Sequence, residues 1–343
     1  MCIWTCGAVI CCIFGLCYVE LGSAYPSGNE QIFLTKAYNE YVGIAFVVSS
    51  VFIILPAYTG VFVNVIHDLV IDYSSSFVVN MGVCLFILIL VYASGNLFLI
   101  NRILFLINNG IVVIFFLSAV YAIIVYSSKD TAYAEKCAFY DTRGGIEFKG
   151  VSSSMLYAIW GFDGWSRGTS MCQKIHRQWF TLRCSIIFSI LISLIFVLFI
   201  NIGFLLVLPY DTIQREENFT TIYFIKLGVC ANRVVINILP LYGSLIGCMV
   251  RCTQYQKDDY KNLYVFGYIM MSILYSILDY KKKFALFITQ YCQVFFYTLC
   301  CLGLLILRFR GNVDRSYKNH IIVPVLGSVL GIGLLILFLN NLT

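Results

Sequence analysis

Two glycines and a carboxylate lie in the middle of an apolar stretch of the chain, in the segment 158–165 (Ala-Ile-Trp-Gly-Phe-Asp-Gly-Trp). A glycine inside a helix costs about 1 kcal/mol relative to alanine, and an ionisable side chain at membrane depth marks a functional site by default. Both features are accommodated if the helix is broken near Gly161 and Gly164, because a break leaves main-chain groups that can bind a polar substrate. The alternative is a kinked structural helix in which Asp163 pairs with a neighbouring side chain.

The composition indicates the class of protein that contains this segment. Of the 343 residues, 60% are hydrophobic and only 12% are charged, whereas a soluble protein carries about 25% charged residues. Apolar runs of the length needed to cross a bilayer recur along the chain. The sequence therefore predicts an all-α polytopic membrane protein, and the net charge of +6 is typical of Lys and Arg in loops beside lipid head groups.

Enzymatic and metal chemistry are not indicated. Most of the 15 cysteines lie in apolar runs, where cysteine acts as a small hydrophobe. The 3 histidines are scattered, and the sequence has no zinc-type spacing, phosphate-binding loop or serine nucleophile motif. We therefore expect no cofactor, no metal and no enzymatic activity.

The first apolar run extends from Met1 to about Leu21 and lacks the positive start of a secretory signal. We interpret it as a membrane helix, with a signal peptide as the alternative. It is followed by the turn-forming residues Tyr25-Pro26-Ser27-Gly28. Glu20 near its end is interpreted as an anchor or ion-pair partner, with a proton carrier as the alternative.

Hydrophobic periods and helix breakers predict about ten helices in one transmembrane domain over residues 1–343. The third and fourth are nearly continuous around Asn101-Arg102, which allows a tight turn or one bent helix. Polar loops are predicted over 127–150 and 209–229. The predicted helices cover 1–21, 40–66, 78–100, 103–126, 151–172 (broken), 182–208, 231–252, 263–280, 284–307 and 320–340.

Four segments share a resemblance to one family. The segments are CYVELGSAYPSGNEQIF (17–33), ILPAYTGVF (54–62), WGFDGW (160–165) and LRFRGNVDRSYKNHIIVPV (307–325). They resemble, in order, parts of the second, third, sixth and eleventh helices of the L-type amino acid transporters. These transporters are a branch of the amino acid–polyamine–organocation superfamily.

The resemblance implies a LeuT-like bundle of two inverted five-helix repeats. The run from Met1 then corresponds to the family's second helix, so that the first and last helices of the family have no counterpart in the sequence. The implied bundle is incomplete, and we expect either a truncated gene model or a degenerate paralogue. In the family's orientation Met1 lies outside the cell and Glu20 lies at the cytosolic end of its helix.

The implied function is the exchange of neutral or broad-range L-amino acids by alternating access. The alternative is a transport-dead paralogue that acts as a membrane nutrient sensor or interaction protein. The implied partners are an amino acid substrate and the lipid bilayer, in the plasma membrane, and no nucleic acid. A covalent heavy-chain glycoprotein is not expected, because the loop 68–77 has no cysteine where animal members carry one.

The resemblance also assigns roles within the broken helix. Trp160 would be an aromatic gate over the substrate, and the main-chain carbonyls of Gly161 and Phe162 would bind its ammonium group. Asp163 and Gly164 would form the bend, and Trp165 would brace the second half-helix.

A second set of candidates lies in the predicted helix 231–252. Gly243, Ser244 and Gly247 match a small-residue stretch that lines the family's cavity, although small residues in membrane helices equally mark close helix packing. For the gate, we expect Trp160→Ala to raise KM or abolish uptake, and Trp4→Ala to leave uptake unchanged.

Overall fold

The described part of the chain is mostly helical and contains no strand. A computed structural model describes residues 1–26, 28–54, 56, 98–126, 148–166, 168–169, 177–209, 212–213, 219–228, 270, 282–311 and 316–339. Within these ranges the α-helices are α1 (Cys2–Ala24), α2 (Glu30–Ala37), α3 (Glu40–Ser49), α4 (Phe98–Tyr126), α5 (Phe148–Gly161), α6 (Gln178–Val207), α7 (Phe219–Lys226), α8 (Lys282–Arg310) and α9 (Ile322–Leu339).

Several helices are long and apolar enough to cross a membrane. These segments are Cys2–Ala24, Trp179–Val207, Phe287–Arg310 and Ile322–Leu339, within α1, α6, α8 and α9. On α6, Phe188 is 61% exposed and Ile192 is 50% exposed, which is the arrangement expected of a helix face that contacts lipid. The chain is therefore a multi-pass membrane protein.

The long helices begin and end near their predicted bounds. The run predicted over 1–21 is α1, and the runs predicted over 182–208, 284–307 and 320–340 are α6, α8 and α9. The predicted helix 231–252 lies outside the described residues, as do 263–280 apart from Met270 and 78–100 apart from its last three positions. Length and hydropathy suffice for these elements because each run must cross about 30 Å of hydrocarbon.

Two short helices were missed by the sequence analysis. The segment after Tyr25 contains α2, which begins where the Asn29 side chain accepts a hydrogen bond of 3.1 Å from the Ile32 N–H. Phe33 and Leu34 of α2 are buried, so burial and an N-cap together stabilise eight residues that have too little periodicity to be recognised. The predicted polar loop 209–229 likewise contains α7.

At Asn101-Arg102 the structure favours one continuous helix over a tight turn. Helix α4 begins at Phe98 and continues through both residues to Tyr126. Arginine is a good helix former, asparagine costs only a fraction of a kcal/mol, and the segment has no proline. Two adjacent polar residues therefore did not end this helix.

The predicted helix 40–66 changes its hydrogen-bonding pattern before a proline. Helix α3 ends at Ser49 and is followed by a π-helical turn over Ser50–Ile54. This turn ends two positions before Pro56. The proline ring clashes with the carbonyl four residues earlier in a regular helix. A wider turn relieves that clash, and residues 57–66 lie outside the described part.

Helix α1 lies at the centre of the packed helices. It approaches its neighbours closely at two glycines, which have no side chain. A Cβ added at Gly7 would lie 2.9 Å from Ala158 in α5, and one added at Gly15 would lie 2.6 Å from Ile186 in α6. Small residues at such crossings bring helix backbones together, which gives the van der Waals contact that stabilises membrane helix packing.

An aromatic cluster joins α1 to α8 and to the end of α5. The ring of Trp165 lies 4.9 Å from that of Tyr18 in α1 and 4.8 Å from that of Tyr297 in α8. Phe14 stacks on the other side of Trp165 at 6.4 Å. This cluster holds the residues that follow α5 against two membrane-spanning helices.

Candidate functional site

The α-helical pattern of α5 ends at Gly161. The N–H of Phe162 is shared between the carbonyls of Ala158 and Ile159, at 3.3 and 3.2 Å, and the N–H of Asp163 bonds to Trp160 at 3.1 Å. Gly164 then has a φ of +126°, which residues with a side chain rarely adopt. The chain leaves the helix axis at this glycine, inside the segment predicted to be broken.

The break leaves two main-chain acceptors without a donor among the described residues. In an unbroken helix the carbonyls of Gly161 and Phe162 would accept from N–H groups four residues later. Here none of the residues that the structure describes donates a hydrogen bond to either oxygen. Within the described part of the chain these two carbonyl dipoles, at the C-terminal end of a helix, thus have no donor, and such an end suits a cation.

The carboxylate of Asp163 is held by three donors. The Tyr297 hydroxyl donates to Oδ1 at 2.6 Å, the Gln293 amide donates to Oδ2 at 2.9 Å, and the Gly164 N–H donates to Oδ1 at 2.8 Å. Asp163 therefore pairs with neighbouring side chains, as the alternative interpretation of this segment expected. The helix is broken as well, so the two interpretations hold together in one structure.

A cavity of about 270 Å³ lies between the break and α6. Small-molecule pockets range upward from about 300 Å³, so this space is suited to a ligand at the small end of that range. On the α6 side the lining includes serines spaced four residues apart, on one face of the helix. The lining of the cavity includes Gly161, Phe162, Asp163, Gly164, Trp165, Ser185, Ser189 and Ser193.

The sequence matches a family model described as amino acid permease over residues 1–256, more than half of the chain. The chain belongs to the amino acid permease family. This family lies within the amino acid–polyamine–organocation superfamily and consists of membrane transporters of amino acids rather than enzymes. A sequence comparison with curated proteins finds no match.

The structure brings most of the predicted site residues of this permease together. Residues 161–165 all line the cavity. Trp160 does not line it, because its partly buried ring packs beside Ile54 and Cys292 on another side of α5. Gly243, Ser244 and Gly247 lie outside the described residues.

Trp4 is closer to the break than the sequence indicated. Its ring meets that of Phe162 edge-on at 5.9 Å, and a Cβ added at Gly161 would lie 2.9 Å from it. The residue chosen as an inert control for Trp160 therefore contacts the predicted carbonyl-bearing residues. It belongs with the site.

Sequence reasoning missed the residues on α6 and α8 that complete the site. Gln293 and Tyr297 are spaced four apart in α8, and Ser185, Ser189 and Ser193 are spaced four apart in α6. Polar residues at this spacing lie on one face of a helix. That periodicity is a signal that could have been used, although it does not identify the partner of each face.

A second polar site lies at the end of α1. Glu20 is buried and forms an ion pair with Arg308 of α8, which confirms its interpretation as an ion-pair partner. The structure shows no group of three or more His, Cys, Asp or Glu side chains suited to a metal ion among the residues it describes.

Proposed function

We propose that this chain transports L-amino acids by alternating access and holds the substrate zwitterion at the break after Gly161. The observation that carries the proposal is that no described residue donates a hydrogen bond to the carbonyls of Gly161 and Phe162, two residues that line a cavity. A substrate ammonium group suits such carbonyls because the C-terminal end of a half-helix is electronegative. Membership of the permease family supports the same substrate.

The cavity favours a single amino acid over a larger substrate. Its volume of about 270 Å³ accommodates a zwitterion and a medium-sized side chain but not a peptide. The hydroxyl groups of Ser185, Ser189 and Ser193 lie on the opposite wall. Hydroxyls donate and accept hydrogen bonds, so this wall can bind the substrate carboxylate or a polar side chain.

The charge of Asp163 supports a neutral or broad-range substrate class. Its carboxylate lines the cavity while accepting hydrogen bonds from Tyr297 and Gln293. A negative group at the wall attracts cationic groups and repels acidic side chains. We therefore expect leucine and arginine to be transported and glutamate to be rejected. We expect transport to occur by exchange across the membrane.

Uptake into proteoliposomes tests the proposal. The purified full chain is reconstituted with unlabelled amino acid inside, and entry of labelled leucine, arginine, cystine and glutamate is measured. Uptake of leucine that requires internal amino acid supports exchange, and uptake without it indicates a uniporter. Folded protein that takes up none of the four contradicts the proposal.

The same preparation separates the transporter from a transport-dead sensor. Binding of labelled leucine to the detergent-solubilised chain is measured by equilibrium dialysis. Binding without uptake indicates that the chain acts as a nutrient sensor. Binding and uptake that are both lost when Gly161 is replaced by leucine support transport through the break.

A further inference from the structure

A buried polar network lies at one end of the packed helices, at the level where α1 and α8 end and α6 and α9 begin. Glu20 is 0% exposed, and the Arg308 side chain is 6% exposed. Arg308 donates from Nε to Glu20 Oε1 at 2.8 Å and from Nη2 to Oε2. The Asn319 N–H donates to the same carboxylate at 3.0 Å, and its carbonyl accepts from Arg308 at 2.9 Å.

A second layer extends this arrangement to α6. The Asn319 amide donates to the Leu16 carbonyl at 2.6 Å and accepts from the Tyr317 hydroxyl at 2.7 Å. The Tyr317 ring stacks on Trp179 at 5.2 Å, and the Arg183 guanidinium lies 5.7 Å from the centre of that ring. We refer to Glu20, Arg308, Tyr317 and Asn319 together as the Glu20 network.

The Glu20 network runs between two packed helix pairs. Helices α1 and α6 pack through Gly15 and Ile186, and helices α8 and α9 pack so closely that a Cβ added at Gly331 would lie 2.1 Å from Thr298. Glu20 and Trp179 belong to the first pair. Arg308, with the segment 316–321 that leads into α9, belongs to the second. The polar contacts therefore tie one pair to the other at this end.

The chemistry of these contacts suits an interface that opens to water. A buried ion pair adds little net stability compared with apolar side chains, because desolvation offsets most of the attraction between the charges. When such an interface separates, water replaces each lost hydrogen bond. Apolar side chains gain no such compensation. A polar closure can thus be both specific in register and readily reversible.

We propose that the Glu20 network is a latch that closes this end of the bundle and is released, with entry of water, when the break opens to this face of the membrane. The proposal rests on the proposed function, since alternating access requires one end to be closed while the other is open. It assigns the release step to the separation of Arg308 and Asn319 from Glu20. Helix α1 then parts from α8 at their common end.

Two native thiols report whether this end is open, independently of transport. Cys17 of α1 and Cys301 of α8 are both 0% exposed, and a Cβ added at Gly327 would lie 3.4 and 3.0 Å from their sulfur atoms. Both lie between the Glu20 network and the break. N-ethylmaleimide modifies them only when water reaches this layer, and peptide mass spectrometry measures the rate at each thiol.

The test compares Arg308→Gln with Arg310→Gln. Arg308→Gln leaves the Glu20 carboxylate buried without its cation, so we expect alkylation of Cys17 and Cys301 to become faster by about tenfold or more. Arg310 is exposed at the end of the same helix, and its replacement should leave both rates unchanged. Equal rates in the wild type and in folded Arg308→Gln protein would overturn the latch.

Loss of the fold is recognised from Cys11, which is also 0% exposed and lies deeper in α1. If Arg308→Gln makes Cys11 as reactive as Cys17, the variant has unfolded, and Tyr317→Phe decides instead. That change removes only the hydroxyl bond to Asn319 and keeps the stacked ring. Faster alkylation of Cys17 supports the latch, and an unchanged rate overturns it.

The wild type separates this proposal from the proposed function. During leucine uptake into proteoliposomes, the alkylation rate of Cys17 should rise several-fold over the rate without substrate. Uptake with an unchanged rate overturns the latch and leaves the transport function intact. If no uptake occurs, the comparison of Arg308→Gln with Arg310→Gln still decides whether the network closes this end.

Discussion

The hydroxyl of Tyr297 in α8 donates a 2.6 Å hydrogen bond to the carboxylate of Asp163 at the break that follows α5. This contact ties the point where one helix unwinds to a neighbouring helix that remains intact. The break is thereby positioned by a rigid element rather than by the flexible segment itself. Preorganisation of this kind is what a binding site on unwound backbone requires.

Removal of that hydroxyl should destabilise the protein and disturb the break. We expect Tyr297→Phe to lower the free energy of unfolding by about 1.5–3 kcal/mol, because the bond has a charged acceptor. The aromatic contact with Trp165 at 4.8 Å should persist. Thermal unfolding in detergent and leucine uptake measure the two effects.

Tyr291→Phe on the same helix is the matched control, because no described residue forms a hydrogen bond with that hydroxyl. An unfolding temperature that falls equally in both variants would show that the Asp163 contact contributes nothing specific.

A side chain at Gly164 should impair transport. The φ of +126° strains any residue other than glycine by about 1–3 kcal/mol, so Gly164→Ala should shift the break toward a regular helix and reduce uptake. The control is Gly333→Ala in α9, where an added Cβ meets nothing within 4 Å. If the two variants take up leucine equally well, the geometry at Gly164 is not required.

Trp4 and Trp160 test which aromatic residue covers the substrate. The contact of Trp4 with Phe162 at 5.9 Å predicts that Trp4→Ala raises KM, because it loosens a carbonyl-bearing residue. The aromatic gate on Trp160 remains a prediction, with loss of uptake in Trp160→Ala as the expected result. Phe188→Ala, which removes a ring that is 61% exposed on α6, is the control.

Measurement of KM for leucine distinguishes the three variants. A raised KM in Trp4→Ala with normal values in the other two variants would move the gate from Trp160 to Trp4. A normal KM in Trp4→Ala would remove Trp4 from the site.

Filling the cavity should block the substrate without unfolding the protein. Among the described residues, the Ser189 hydroxyl donates only to the Ile186 carbonyl of its own helix, at 3.0 Å, so its removal costs no described contact between helices. Ser189→Leu should abolish leucine uptake and leave the unfolding temperature within a few degrees of the wild type. Phe188→Leu on the neighbouring face is the control. Normal uptake by Ser189→Leu would place the substrate elsewhere.

The membrane-spanning helices follow from the sequence because each needs a long apolar run to cross the bilayer. Helix α2 could not be found in this way, since its eight residues depend on the Asn29 cap and on the burial of Phe33. The sequence allowed either a tight turn or one bent helix at Asn101-Arg102, and α4 continues through both residues. The sequence alone does not decide between alternatives where packing outweighs local preference.

The break itself was predictable, whereas its partners were not. Gly161, Asp163 and Gly164 are anomalous within an apolar run, and that anomaly alone predicts unwinding. Gln293 and Tyr297 are 130 and 134 residues away from Asp163 in sequence. Their proximity depends on the arrangement of α5 against α8, which periodicity within either helix does not specify.

Helix α8 carries both Tyr297, which contacts Asp163, and Arg308, which contacts Glu20. These two residues lie about three helical turns apart, or ~16 Å along the axis, and on the same face of the helix. If helix α8 slides or rotates as a rigid body, the Tyr297–Asp163 and Arg308–Glu20 contacts are strained together. Substrate capture at the centre of the membrane and water entry at its surface would then be governed by a single degree of freedom.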